Sequence, residues 1–525
     1  MFSDEDTDCS GIKFASCTST SKVIQYNIVP KTNINIRLCV ASLVLITNQA
    51  FAEDSIWYQD QHTQQNDPLQ TKLFALPKLT DGYQSIDAPC AEQLSASDFA
   101  KPLTLAEVAN ASLCNNPQTS EVWASARVQA AQLGIAKSAY LPTLTDNIGT
   151  NLSVLHPESA TRSNPNLNLS NSLVASYLLY DFGNRNANLE SARQLLLSAS
   201  ASQSSTVQSV LLAATVAFYQ VQAKTAAVEA ALQAERAGNE SFKAAEARYN
   251  AGVSTPADKL QAQTAYAQLT LTRITNEGSL QTAYGTLANV MGLPANQQIR
   301  LVSNTATPSA NILSDVNLLI EQASVRRPDL IASEAQLKAA QASIDASKAA
   351  AKPTISVSMS NNLQDGSSLA TSNNSTLGLT VAIPLFNGYA PTYRIRAAEA
   401  TADLRAAQRD RLRLQISLDV WTAYQNLRTA LESVSATEVL VASAEQSYRV
   451  ALGRYKAGVG NIIDTLNAQS ALASAHQQQI QAALNANITR ATLAQAMGSL
   501  DHAMIQSLPS ATVNALPTTN TPSID

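Results

Sequence analysis

Arg248-Tyr249-Asn250-Ala251-Gly252-Val253-Ser254-Thr255-Pro256-Ala257-Asp258-Lys259-Leu260-Gln261-Ala262-Gln263 returns later in the chain in altered form. The second copy reads Arg454-Tyr455-Lys456-Ala457-Gly458-Val459-Gly460-Asn461-Ile462-Ile463-Asp464-Thr465-Leu466-Asn467-Ala468-Gln469. Tyr249 and Tyr455, and likewise Asp258 and Asp464, lie 206 residues apart (455 − 249). In each copy an Ala-rich helical pattern meets a Gly, turns within a few residues and starts again. Gly252 and Gly458 fit a helix end that needs a left-handed residue. Thr255-Pro256 and Asn461 fit a fresh helix start. Each copy is therefore the tip of a long helical hairpin, and the chain carries two of them.

Working outward, the first tip is fed by one helical stretch, 184–250, and left by another, 256–291, which Gly292-Leu293-Pro294 ends. Val207, Leu211, Ala214, Phe218 and Val221 follow steps of four and three, a heptad that predicts left-handed coiled-coil packing. The second copy repeats this as 391–456 and 462–497, with Leu427, Leu431, Val434, Val441, Tyr448, Leu452 and Tyr455 in register. Each long helix would reach roughly 100 Å at about 1.5 Å per residue. Two strand-like stretches precede each long helix. In the first copy they lie near 144–155 and 167–180. In the second, Ile355, Val357 and Met359 alternate with serines, and Leu377, Leu379, Val381, Ile383 and Leu385 alternate with smaller residues. Shorter helical patterns come before the strands. The first is broken at Asn115-Asn116-Pro117, and its counterpart restarts at Arg327-Pro328-Asp329 and ends at Lys352-Pro353. The chain thus divides into a first repeat at 103–296, a linker at 297–311 and a second repeat at 312–500. An irregular mature N-terminus at 53–102 precedes them, and a disordered tail at 501–525 is expected after them.

Of the 525 residues, 45% are hydrophobic but only 5% aromatic, so Ala dominates and helices can approach closely. A net charge of −5 with 14% charged residues leaves no basic footprint for nucleic acid. No apolar run of about 18 residues predicts a membrane-spanning helix. Lys31 and Arg37, the apolar run from Leu38 to Ile46, and Ala50-Phe51-Ala52 together read as a secretory signal, cut after Ala52. The residues before it fit neither a signal nor a fold, so 1–52 is read as a dispensable extension plus signal. Cys39 lacks the surroundings of a lipidation site, and no lipid anchor is expected. Cys90 and Cys114 then remain in an oxidising compartment, either as a disulfide or as two buried thiols.

His62, His156, His476 and His502 are scattered without metal-ligand spacing, and no nucleophile or phosphate-loop motif occurs. The sequence predicts no enzyme, no cofactor and no metal site. The strands carry more information. Their length and dyad alternation suit an outer-membrane barrel, with a soluble hairpin cap on a helical rod as the alternative. The export signal favours the membrane. Four strands per chain cannot close a barrel, and open edges are excluded from lipid, so closure demands several chains.

This order of elements, given twice, resembles the outer-membrane efflux protein (TolC) family over roughly residues 103–500. The matching motifs are the two tips, Arg327-Pro328-Asp329-Leu330, Leu385-Phe386-Asn387-Gly388 and Met291-Gly292-Leu293-Pro294. The resemblance implies an α+β membrane protein built as a homotrimer. Long antiparallel coiled-coil helices would form a periplasmic α-barrel, joined to a 12-stranded outer-membrane β-barrel with four strands per protomer. It implies an export duct in the cell outer membrane, extending into the periplasm. Its partners would be a periplasmic adaptor (membrane fusion) protein, an inner-membrane ABC or proton-driven transporter, and outer-membrane lipid. Type I protein secretion leads, with Leu113-Cys114-Asn115-Asn116-Pro117-Gln118-Thr119 and the missing anchor leaning that way. Multidrug or metal efflux is the alternative, and a periplasmic spacer or adaptor outside the membrane is the reading from a different class. The resemblance also implies a periplasmic gate. Asp464 would line its constriction as a three-fold acidic ring, and Asp258 would latch neighbouring hairpins with Tyr455 as partner. The plainer account is that both aspartates suit a helix N-terminal turn. Two positions depart from the family pattern: Gly460 stands where an Arg joins the latch, and Asn467 where a second Asp deepens the ring. Gly252 and Gly458 serve the turns.

Overall fold

The computed structural model describes residues 101–154, 166–302, 315–366 and 369–501, all within one compact unit, Leu69–Asp525. The extension and signal, Cys90 and nearly all of the expected tail lie outside the described residues. The first repeat comprises α1 (Leu105–Asn115), α2 (Pro117–Ser138), β1 (Thr143–Ser153), β2 (Asn166–Tyr180), α3 (Asn184–Asn250) and α4 (Pro256–Val290). The second comprises α5 (Val316–Arg326), α6 (Pro328–Ala349), β3 (Thr354–Gly366), β4 (Leu369–Ala382), α7 (Ala390–Lys456) and α8 (Ile462–Ala496). Both long helices have 67 residues and both return helices 35. Local chemistry sets the boundaries. Thr104 and Glu107 close a capping box on α1. Asn116 caps α2 ahead of Pro117, whose missing N–H would have had no partner at that position.

One expectation needs correction. The alternation through Ile383 and Leu385 is not strand, because β4 ends at Ala382. Pro384 has no N–H to give a ladder, and it biases its neighbour away from continuing one in register. The start of the linker makes ordered contacts. Leu301 bridges Leu103 in parallel, and Ile299 is buried in the main core.

Helix α3 packs against α4 along its half nearer the tip and against α6 along its half nearer the strands, with α2 also against it, while α7 packs against α8, α6 and α5. Helix α8 also lies along α3, which joins the two repeats. The heptad residues Val207, Leu211, Ala214, Phe218 and Val221 are all buried, and Phe218 meets Leu287, Met291 and Val108 in the largest core cluster. Burying Phe218 is worth roughly 2–3 kcal/mol, and the alanines beside it let the backbones close around it.

The strands form one antiparallel sheet in the order β1-β2-β3-β4. Its register puts Leu144, Ala175, Met359 and Leu377 in one row and Tyr177, Val357 and Leu379 in another. The opposite face carries Thr143, Ser176, Ser358 and Gly378. The apolar face is open, with Leu377 76% exposed, and Asp146 and Asp365 are its acidic exceptions. β1 and β4 are left as edges within one chain. No helix among the described residues is long and apolar enough to cross a membrane.

Candidate functional site

At the end of each hairpin the Gly sits in the left-handed region, Gly252 at φ 72° and Gly458 at φ 78°. Gly252 N–H donates to the Tyr249 carbonyl at 2.9 Å and Val253 N–H to the Arg248 carbonyl at 3.0 Å. Gly458 and Val459 repeat this with Tyr455 and Arg454 at 3.0 and 3.1 Å. These are Schellman closures, which satisfy the last helical carbonyls and need a residue without a Cβ penalty.

The two aspartates part company here. Asp258 accepts from the Thr255 N–H at 3.0 Å, while the Thr255 hydroxyl accepts from the Asp258 N–H at 3.3 Å, a complete capping box. At the second tip Asn461 caps alone, accepting from the Ile463 N–H at 3.1 Å. Asp464 is exposed and makes no side-chain hydrogen bond or ion pair with the described residues. The plain helix-start account therefore describes what Asp258 does in the chain, whereas the Asp464 carboxylate has no such partner among the described residues. Asn467 and Arg454 are exposed beside it in a shallow groove that Gly460 also lines. At Gly460 a Cβ would come within 2.8 Å of the Tyr455 backbone nitrogen. The position where the resemblance expects an Arg thus has no room for any side chain without moving the turn.

Tyr455 is the residue that joins the two tips. It is 5% exposed and packs with Ala245, Ala262 and Ile462. The Arg248 guanidinium lies 5.0 Å from its ring centroid and donates to its carbonyl at 3.0 Å. A cation over an aromatic face and a charge-assisted hydrogen bond together make a strong local tie. Its hydroxyl is buried and has no hydrogen-bond partner, so the expected Asp258–Tyr455 hydrogen bond is not made. The reason is visible next door: the Asp258 carboxylate closes its own capping box. Asp258 acts on the ring only through its charge. Burial pushes the Tyr455 phenol above its ordinary value, Arg248 opposes this, and Asp258 adds to it. Tyr249, the first-copy counterpart, is 39% exposed with Lys259 over its ring at 5.6 Å.

Sequence reasoning missed Arg248 as the tie. It also missed Arg327, which pairs with Asp329 at 2.6 Å and with Asp419 of α7 at 2.9 Å, fastening the start of α6 to the long helix. The Arg-Pro-Asp motif was the available signal for the first pair; nothing local marks Asp419. Cys114 is disulfide-bonded, and its expected partner Cys90 lies outside the described residues. Among the described residues no group of His, Cys, Asp and Glu could hold a metal ion.

Comparison with known proteins places this architecture. The profile of the family described as Outer membrane efflux protein matches residues 108–293 and 319–499. Protein CyaE of Bordetella pertussis is 28% identical over 423 residues, covering 79% of this chain and 88% of that protein. The probable efflux pump outer membrane protein TtgC of Pseudomonas putida is 27% identical over 441 residues, covering 79% of this chain and 87% of its own. Among solved structures, the outer membrane protein VceC of Vibrio cholerae superposes with a TM-score of 0.67 at 20% identity, over 76% of this chain and 97% of that one. With both repeats matched, the chain belongs to the outer membrane efflux protein family, non-enzymatic transport channels of the outer membrane that extend into the periplasm.

Proposed function

We propose that three copies of this chain close into one export duct. Four strands from each would make a 12-stranded barrel, and the helical hairpins would continue it as a tunnel toward the inner membrane. The observation that carries this reading is the sheet: an exposed apolar face aligned across all four strands, and an unpaired edge on either side. In lipid those edges must pair, and neighbouring chains offer the same edges. In this reading the hairpin tips are the periplasmic gate, with Asp464 as an acidic ring, Asn467 one turn behind it, and Asp258 and Tyr455 at the joint between hairpins. A periplasmic adaptor and an ABC exporter complete the path for type I protein secretion. Efflux of small molecules through a drug or metal pump is the second reading, and the similarity to the probable efflux pump protein TtgC favours it. A spacer that never enters lipid is set aside by the outer-membrane family.

The mass of the detergent-solubilised particle tests the closure. Three chains per particle are expected, and a stable monomer would rule the barrel out. Deleting the chain separates the two transport readings. Loss of a secreted polypeptide with unchanged drug and metal tolerance supports type I secretion, and the reverse supports efflux.

A further inference from the structure

The two hairpins of one chain pack closely at two levels and part between them. At the tips Ala245, Ala262, Tyr455 and Ile462 close together. Toward the strands Leu484 of α8 packs on the core around Phe218 and Leu287. Between these levels lies a cavity of about 510 Å³, walled by α3, α4 and α8 and by Tyr448 of α7. That is the size of a site for a small organic molecule. Its origin is in the sequence. Where α3 packs solidly it buries Val207, Leu211, Phe218 and Val221. Along the cavity the same helix presents Ala227, Ala230, Ala234 and Ala237, which fall on one helical face and are too short to fill the space.

The chemistry of the walls is selective. Leu269, Leu466, Leu472 and Ile480 supply apolar surface, and no Asp, Glu, Lys or Arg lines the cavity. Arg273, on the neighbouring turn of α4, is held by Glu235 and Glu277, each at 2.8 Å. A charged solute would lose its hydration here and find no counter-charge. One polar group stands out. Gln469 is 4% exposed, and its Nε2 donates to the Ala234 carbonyl at 3.2 Å, across the hairpins. Its Oε1 is buried without a hydrogen-bond partner. Gly238 makes room for this carboxamide, since a Cβ there would come within 3.5 Å of Gln469 Nε2 and 2.6 Å of Leu269 Cδ1. A buried acceptor left unpaired is costly, and what it lacks is a donor.

We infer that this cavity is a binding site for a small uncharged molecule with an apolar body and one hydrogen-bond donor. The body fills the space the alanines leave, and the donor pairs with Gln469. Because α3 and α4 form one wall and α8 the other, an occupant ties the two hairpins together. The site is built within one chain and does not rest on three copies closing.

The test is calorimetric titration of the full-length protein in lipid nanodiscs, with empty nanodiscs subtracted. Three probes share one ring system: 1-naphthol, naphthalene, which lacks the donor, and naphthalene-1-sulfonate, which is charged. 1-Naphthol should bind saturably at one molecule per chain, at least fivefold tighter than naphthalene and at least tenfold tighter than the sulfonate. Ala234→Leu, which fills the space, should weaken it tenfold or more. Ser474→Trp, at an exposed position on the rim, should do the same and serves if the first variant folds poorly. Gln469→Met should bring 1-naphthol and naphthalene to equal affinity. Uptake that does not saturate, or that is unchanged in both filling variants, would overturn the site. A preference for the hydroxyl that survives Gln469→Met would overturn the role of the carboxamide. Saturable binding to particles with the mass of one chain would support the site while ruling out the duct.

Discussion

Asp258 and Asp464 hold the same place in the repeat and behave differently, because Thr255 offers a hydroxyl and a reciprocal N–H where Asn461 offers a carboxamide that caps alone. Thr255-Pro256-Ala257-Asp258 spells that capping box in the sequence, so this much was legible. The free carboxylate of Asp464 was not, because it follows from what the neighbouring groups leave unused. If three such carboxylates face one constriction, a multivalent cation relieves their repulsion. Divalent cations added from the periplasmic side are then expected to block single-channel current. Asp464→Ala should weaken that block by about tenfold or more, equivalent to ~1.4 kcal/mol. Equal block in both proteins would leave Asp464 a helix-start residue. Tyr455 makes a separate prediction. Its pKa is raised by burial, with Arg248 lowering and Asp258 raising it. A raised folded value means stability that is full below the ordinary tyrosine pKa of about 10 and lost as pH climbs through the folded value. Tyr455→Phe keeps the ring under Arg248 and removes a buried hydroxyl that has no partner. It should hold or raise the melting temperature at pH 8 and shrink the drop seen on going to pH 11. A steeper alkaline drop in the Phe variant would contradict this account.

The helices were readable because their ends are written in side chains: Asn116-Pro117, Thr255-Pro256, Asn461 and the tip glycines all act within a turn of where they stand. The strands were less so. β4 looked longer than it is because Ile383 and Leu385 keep the alternation on either side of Pro384, which has no donor for the ladder. What lies between elements was mostly hidden. The heptad announced that Phe218 and Val221 would be buried, but not that α8 would lie on α3. Tyr249 and Tyr455 are the same residue in nearly the same words, and only tertiary packing decides which one is covered. Cys114 shows the same limit. It lies in the last turn of α1 and is disulfide-bonded, and we propose Cys90 as its partner. The bond would tie α1 to the preceding segment and contribute about 3 kcal/mol by loop closure. Thiol counting on the unreduced, denatured mature chain should find none free, and two reactive thiols would refute the pair.

At the scale of the whole molecule, the sheet joins distant parts of the sequence. The Ser172 hydroxyl donates to the Asn362 carboxamide oxygen across 190 residues, whereas each hairpin brings together helices separated by only a short turn. Local contacts form first because little chain entropy is lost in closing them, and long-range strand pairing comes late. A newly exported chain therefore acquires its helices while β1 and β4 still present bare edges beside an apolar face. That intermediate is a template for pairing with any other extended chain. The same unpaired edges that, in the proposed duct, would let copies join into a barrel thus make each unassembled copy the aggregation-prone form of the protein. Yield depends on a race, second-order in the monomer, between productive closure and clumping, and slower synthesis or a holding chaperone tilts that race toward closure.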